Sequence, residues 1–132
     1  MWFDDEVNVN SKRLSLISKL LKKRDYQHRG FIRSDLLLKN PGSLEDLVEA
    51  GFVELCSGVE SGSQKILDII QKKTTPEGNA KVAEMIMSAG LNYKAFTIIG
   101  NPSETYKDIE KTRKWIKEVK PTGFDISILM PY

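Results

Sequence analysis

A four-fold alternation constrains this chain more than any other feature of it. A helix-like stretch, a glycine with a large apolar residue behind it, and a strand-like run recur at Gly30-Phe31, Gly51-Phe52, Gly90-Leu91 and Gly123-Phe124. Each reads as a helix stop, because glycine takes the left-handed conformation after a last helical turn and the apolar residue then opens a buried strand. Strands are expected over 31–36, 52–57, 93–99 and 124–130, with Trp2-Phe3 as the tail of an earlier one. Helical faces are set by Leu14, Ile17 and Leu21, by Ile66, Leu67 and Ile70, by Val82, Met85, Ile86 and Ala89, and by Ile109, Ile116 and Val119. Ser43 with Asp46 reads as a capping box. Thr75-Pro76-Glu77 reads as a cap, a proline at the first helical position and an acid in the first turn.

Strands alternating with helices imply right-handed crossovers and a mainly parallel sheet. The fold class expected is α/β, a partial (β/α) barrel of the TIM type, with residues 1–132 forming a single domain. Because the chain opens on a strand tail and closes just after another strand, it reads as an excerpt of a longer protein whose first strand is missing. The exposed sheet edge this leaves invites self-association.

Composition narrows the function. Twenty basic and 18 acidic residues leave a net charge of +2, too little field to argue for nucleic acid as a partner. No run approaches the roughly 20 apolar residues of a membrane span, and the acidic start Asp4-Asp5-Glu6 is unlike a secretory leader, so the expected location is the cytoplasm. One cysteine and one histidine build no metal site. Cys56, in an apolar strand context, reads as a packing residue, and His28 as a surface residue near a helix end.

In such sheets chemistry gathers at the carboxyl ends of the strands. The residues there are Asp4, Asp5 and Glu6, then Arg33 and Asp35, then 57–63, then 101–105. The stretch Cys56-Ser57-Gly58-Val59-Glu60-Ser61-Gly62-Ser63 lacks the Lys-Ser/Thr of a phosphate loop, the glycine spacing of a dinucleotide fingerprint and the order of a hydrolase elbow. Backbone N–H groups at the start of the helix after it leave phosphate or carboxylate binding open.

Taken together, Phe3-Asp4-Asp5, Gly30-Phe31-Ile32-Arg33-Ser34-Asp35, Gly58-Val59-Glu60-Ser61-Gly62-Ser63 and Ile98-Ile99-Gly100-Asn101-Pro102-Ser103-Glu104-Thr105 resemble the core of radical S-adenosylmethionine (radical SAM) enzymes. The chain is most similar to the subgroup that often carries a cobalamin-binding domain upstream. The resemblance implies the second to sixth strands of a partial (β/α)6 barrel. It places Asp4 and Asp5 at the methionyl amino group of S-adenosylmethionine, Glu60 and Ser61 at the methionyl or ribose portion, and Arg33 and Asp35 toward ligand or substrate. Lys72 falls where a base meets the methionyl carboxylate, although lysine stands there in place of the usual arginine. Ile98, Gly100 and Asn101 belong to the stretch flanking adenine.

The cofactors implied for the full-length protein are S-adenosylmethionine and a [4Fe-4S] cluster, with cobalamin as a further one. The partners implied are a small-molecule substrate and an electron donor for the cluster. The cluster's three cysteines, usually Cys-x3-Cys-x2-Cys, are not in this sequence, so the chain alone is expected to be inactive and to hold no metal. Two other readings stay open: a barrel-derived binding module without catalysis, and a (β/α) barrel enzyme holding a phosphorylated metabolite at 61–63.

Overall fold

The structure, a computed structural model, describes residues 6–22 and 24–130. Helix α1 (Ser11–Leu21) is followed by β1 (His28–Phe31), α2 (Ser34–Lys39), α3 (Ser43–Glu49), β2 (Phe52–Glu60) and α4 (Gln64–Ile69). Then come α5 (Pro76–Ser88), β3 (Asn92–Ile99), α6 (Tyr106–Val119) and β4 (Gly123–Ile128). The four strands pair in chain order, all parallel. This is the sheet that repeated right-handed β-α-β crossovers produce.

Alternation along the strands separates two faces. On β2 and β3 the residues turned toward the helices are Leu55, Ser57 and Val59, and Tyr93, Ala95 and Thr97, all buried. Leu37, Leu47, Leu67, Val82 and Ile86 close over them from α2 to α5. Each fully buried aliphatic side chain stabilises the fold by about 1.5–3 kcal/mol. The Trp115 indole N–H on α6 donates to the Pro76 carbonyl at 2.8 Å, fixing α6 against the start of α5. The Tyr93 hydroxyl shares a 2.6 Å hydrogen bond with Ser57, and burial pushes its pKa up to about 12.

Two of the four glycine stops behave as the sequence suggests: Gly51 (φ 86°) and Gly90 (φ 81°) take the left-handed conformation behind α3 and α5. The other two do not. Gly30 lies inside β1, where a Cβ would stand 2.7 Å from the Phe52 ring, so it is there for close packing. After α6 the left-handed residue is Lys120 (φ 52°), and Gly123 simply opens β4.

The strand expected over 31–36 is also corrected. β1 ends at Phe31, and Ser34-Asp35-Leu36-Leu37-Leu38-Lys39 is helix α2. A short apolar run carries no periodicity that separates strand from helix, and leucine and lysine favour the helix. His28 is a β1 residue in ring contact with Phe52, and not a helix-end residue. Ser43 forms no capping box: it is the first residue of α3, and its hydroxyl donates to the Asn40 carbonyl at 2.7 Å. The cap at Thr75 forms as expected, accepting from the Gly78 N–H. At the outer edge of β1 the Val7 N–H donates to the Phe31 carbonyl. The Asn8 carboxamide pairs with both the N–H and the C=O of Arg33 at 2.9 Å, so residues 7–8 cover the end of that edge.

On the opposite face of the sheet lie Arg29 and Phe31, Glu54 and Cys56, Lys94, Phe96 and Ile98, and Asp125 and Ser127. Arg29 pairs with Glu54 and Lys94 with Asp125, while the Phe31 and Phe96 rings meet at 5.7 Å. Cys56 is buried among them, and burial, with the Glu54 carboxylate beside it, pushes its thiol up to about 11. Among the described residues no helix is long and apolar enough to cross a membrane.

Two measurements follow. The Cys56 thiol stays protonated at neutral pH, so in the folded protein its peptide should be alkylated by iodoacetamide at least about tenfold more slowly than in urea; equal rates by mass spectrometry contradict this burial. At the start of α6, Asp108 accepts from the N–H and hydroxyl of Thr105, from the Ser63 hydroxyl and from Lys65, and these bonds, Thr105's first, hold its carboxyl well below the usual range. A depressed native pKa contributes stability above the unfolded value of 3.8 that is lost as pH falls through the folded one. Asp108→Ala should therefore lower the melting temperature by about 5 °C at neutral pH, with the gap closing below about pH 4. A gap unchanged down to about pH 2 goes against that role.

Candidate functional site

The carboxyl ends of β1 and β2 and the turn after α4 enclose a cavity of about 400 Å3, lined by Glu6, Arg33, Asp35, Gly58, Glu60 and Lys72 among others. A larger groove of about 890 Å3 lies between α5 and α6 on the helical outside, with Gly62 of the loop after β2 at its edge.

The cavity's central feature is an ion pair, Lys72 Nζ to Glu60 Oε1 at 2.7 Å. Both partners are set by unusual backbone. Glu60, the last residue of β2, has φ 62°, and the Ser61 N–H donates to the Val59 carbonyl at 2.8 Å across it. A hydrogen bond between residues two apart around a positive φ is the rare, strained hand of the three-residue turn. Strain of this kind in a non-glycine residue persists only where the surroundings over-determine it, and it concentrates at functional sites. Lys72 follows Gln71, also left-handed at φ 55°, and its N–H donates to the Leu67 carbonyl, which turns the chain back from the end of α4 toward β2.

Gly58 gives the pair its room. A Cβ there would stand 2.2 Å from Glu60 Oε1 and 2.9 Å from Lys72 Nζ, so the carboxylate and ammonium lie directly over the bare backbone of residue 58. Across the cavity Arg33 forks onto Asp35 with two hydrogen bonds of 3.0 Å and has Glu6 at 3.9 Å. The Asp35 fork holds the guanidinium charged, and that guanidinium holds the Asp35 carboxyl below its usual range against the opposing effect of burial. Arg33 is the cap residue of α2 and Asp35 lies in its first turn, so both stand just beyond β1 and not within a strand.

Of the expected residues, the fold thus brings Glu60, Lys72, Arg33 and Asp35 into one cavity. Asp4 and Asp5 lie outside the described residues; Glu6, the next in sequence, reaches the cavity wall. Ile98, Gly100 and Asn101 form the rim of the neighbouring strand. Ile98 is on the same face as Phe96, Gly100 has φ 87°, and the Asn101 carboxamide N–H donates to the Ile98 carbonyl at 2.9 Å.

Ser61 is turned the other way. It is fully buried against α6, its hydroxyl 3.2 Å from the Thr112 hydroxyl. The Gly62 N–H is bonded to Thr112 Oγ1 at 2.9 Å and the Ser63 N–H to Ser61 Oγ at 3.1 Å. These groups, which could have cradled a phosphate, are committed within the protein.

Residues beyond the sequence expectation complete the frame. Glu104 Oε2 accepts from the N–H groups of Gly100 (2.6 Å) and Asn101 (3.1 Å), fixing the β3 rim. Its position four residues after the glycine was a readable signal. Gly58 stood in the family motif without a role of its own, and Asn8 and Thr112 carried no signal, because each acts through tertiary contacts.

The arrangement offers an acid and a base for a zwitterion, a bidentate guanidinium, and an apolar strand end beside them. That donor set suits a ligand carrying an ammonium, a carboxylate and a flat ring. It does not suit an iron-sulfur cluster: the one cysteine is buried within β2, and no group of three metal-ligating side chains exists among the described residues.

Comparison with known proteins places the fold in a family. Residues 1–116 match the family model of the radical SAM superfamily. The chain is 28% identical over 131 residues to an uncharacterized methyltransferase of Pyrococcus horikoshii, spanning 99% of this chain and 28% of that protein. It is also 28% identical over 136 residues to the bacteriochlorophyllide d C-8(2)-methyltransferase of Chlorobaculum tepidum, spanning 99% of this chain and 30% of the relative. The chain therefore spans under a third of the length of these relatives. Among solved structures it superposes on the radical S-adenosylmethionine methyltransferase TsrM from Kitasatospora setae, with cobalamin and a [4Fe-4S] cluster bound. The TM-score is 0.81 at 14% identity, covering 96% of this chain and 25% of that one, which shows a shared fold. With the family model matching residues 1–116 and the all-parallel sheet in agreement, this chain belongs to the radical SAM superfamily.

Proposed function

We propose that this chain is the S-adenosylmethionine-binding portion of a longer radical SAM methyltransferase that also uses cobalamin. The observation that carries the reading is the Glu60–Lys72 pair, held over Gly58 by a strained turn at the carboxyl end of a central strand. Glu60 serves the methionyl ammonium or ribose hydroxyls and Lys72 the methionyl carboxylate, with their mutual ion pair exchanged for the ligand's two charges. Arg33, kept charged by Asp35, faces the same space and suits an anionic group of ligand or substrate. Ile98 and the rim at Gly100 and Asn101 flank the adenine.

Glu60, Lys72 and Arg33 would hold S-adenosylmethionine, and a reduced [4Fe-4S] cluster supplied by the parent protein would provide the electron for its reductive cleavage. The described residues hold no group of three metal-ligating side chains, and on this reading the cluster's thiolates belong to other segments of the parent protein. Methyl transfer is supported by the names of both relatives, and cobalamin by the structure with which the chain shares its fold.

Glu60→Ala in the intact, anaerobically reconstituted protein should weaken S-adenosylmethionine binding by about tenfold or more in calorimetry, the value of one charge-assisted hydrogen bond. Gly58→Ala should weaken it similarly while barely moving the melting temperature, because its Cβ displaces only the flexible ends of two side chains. Wild-type affinity in both variants removes the pair from the binding site.

A further inference from the structure

Strain at Glu60 requires a frame, and the hydrogen bonds around the turn identify it. On its carboxyl side the turn is tied to α6 through Ser61 Oγ and the Gly62 N–H, which both meet Thr112 Oγ1, at 3.2 and 2.9 Å. The Thr112 hydroxyl in turn bonds back to the Asp108 carbonyl at 3.4 Å. One proton assignment satisfies all of them: Ser61 O–H and Gly62 N–H donate to Thr112, and Thr112 O–H donates to Asp108. Thr112 is 4% exposed and Ser61 not at all, so water cannot replace the bond between their hydroxyls, while the Gly62 N–H is part-buried.

The contact is also close. A Cβ on Gly62 would lie 2.6 Å from the Lys111 carbonyl oxygen and 2.8 Å from Thr112 Cα, so backbone rests on backbone. Ser63, next along, donates to Asp108 at 2.7 Å. On its amino side the turn is held by the β2–β3 ladder, which pairs Gly58 with Phe96 and Glu60 with Thr97, and by the Asn79 carboxamide reaching the Val59 carbonyl at 3.4 Å.

Resting on the ligand-site reading above, we propose that Thr112, on a helix that lines no part of the cavity, is a positioning residue for Glu60. Its hydroxyl anchors Ser61 and Gly62 and thereby holds the strained turn that aims the Glu60 carboxylate over Gly58 at Lys72. Replacing the hydroxyl with a methyl group leaves the buried Ser61 hydroxyl and the part-buried Gly62 N–H without their acceptor, directly after the turn. The turn then relaxes toward the ordinary extended conformation, and the carboxylate leaves Lys72.

The test uses Thr112→Val, which keeps the shape, and Thr112→Ser, which keeps the hydroxyl, in the intact reconstituted protein. Two quantities are read: calorimetric affinity for S-adenosylmethionine, and the acetylation rate of Lys72 under N-hydroxysuccinimidyl acetate, followed by mass spectrometry with an exposed lysine such as Lys114 as the internal standard. Thr112→Val should weaken binding by about tenfold and raise Lys72 labelling several-fold, Thr112→Ser should restore both, and Thr112→Val added to Glu60→Ala should weaken binding no further. Lys72 labelling unchanged in Thr112→Val overturns the proposal, as does an effect on affinity that adds in full to that of Glu60→Ala. Should Thr112→Val fail to fold, Ser61→Ala removes the bond from its other side and is read the same way. If the wild-type protein binds no S-adenosylmethionine, the ligand reading falls, while Lys72 labelling still decides whether Thr112 positions Glu60.

Discussion

The contact between the bare backbone of Gly62 and the Lys111 and Thr112 backbone is the constraint on which the site depends. It lets α6 approach the end of β2 more closely than any side chain would allow, and at that distance Thr112 and Asp108 reach the loop's hydrogen-bonding groups directly. With the loop fixed at Gly62 and β2 held by its ladder to β3 at Gly58 and Glu60, across a register shift, the residues between have little freedom left. A strained turn is the result, and it sends Glu60 over the sheet end instead of continuing the strand. The small residues of this stretch are therefore explained by packing and anchoring, not by phosphate binding.

A second glycine plays the complementary part. Gly62 removes a side chain so that two backbones can touch, whereas Gly58 removes one so that a carboxylate and an ammonium can lie above the strand. The pair they frame is already matched in charge without ligand, which keeps a partly buried carboxylate from standing unpaired at the bottom of the cavity. A zwitterionic ligand can replace both halves at once, so neither charge is stranded during the exchange.

Much of this was legible in the sequence, for identifiable reasons. The helix faces and the parallel alternation follow from apolar spacing, and Thr75-Pro76 and Gly51 and Gly90 mark their boundaries by local chemistry alone. Glu60 and Lys72 could each be assigned a ligand contact from the family pattern, but their pairing with each other is visible only in the fold. What was illegible depends on contacts between distant segments. Leu36-Leu37-Leu38 could be strand or helix until Leu37 finds its place in the core. Gly30 mimics a helix stop but answers to Phe52, and the direction of Ser61 is decided by Thr112, which lies 51 residues away. Asn8, which imitates a strand pair with its side chain, leaves no trace in any local pattern.

The account's central claim is that the turn at Glu60 is a preformed ligand contact. A crystal structure of the intact protein with S-adenosylmethionine tests it most directly. The claim predicts a Glu60 φ still near 62°, with the carboxylate on the methionyl ammonium or the ribose and Lys72 on the methionyl carboxylate. A ligand bound elsewhere with the Glu60–Lys72 pair intact, or a Glu60 that has relaxed to an extended φ around the ligand, contradicts it.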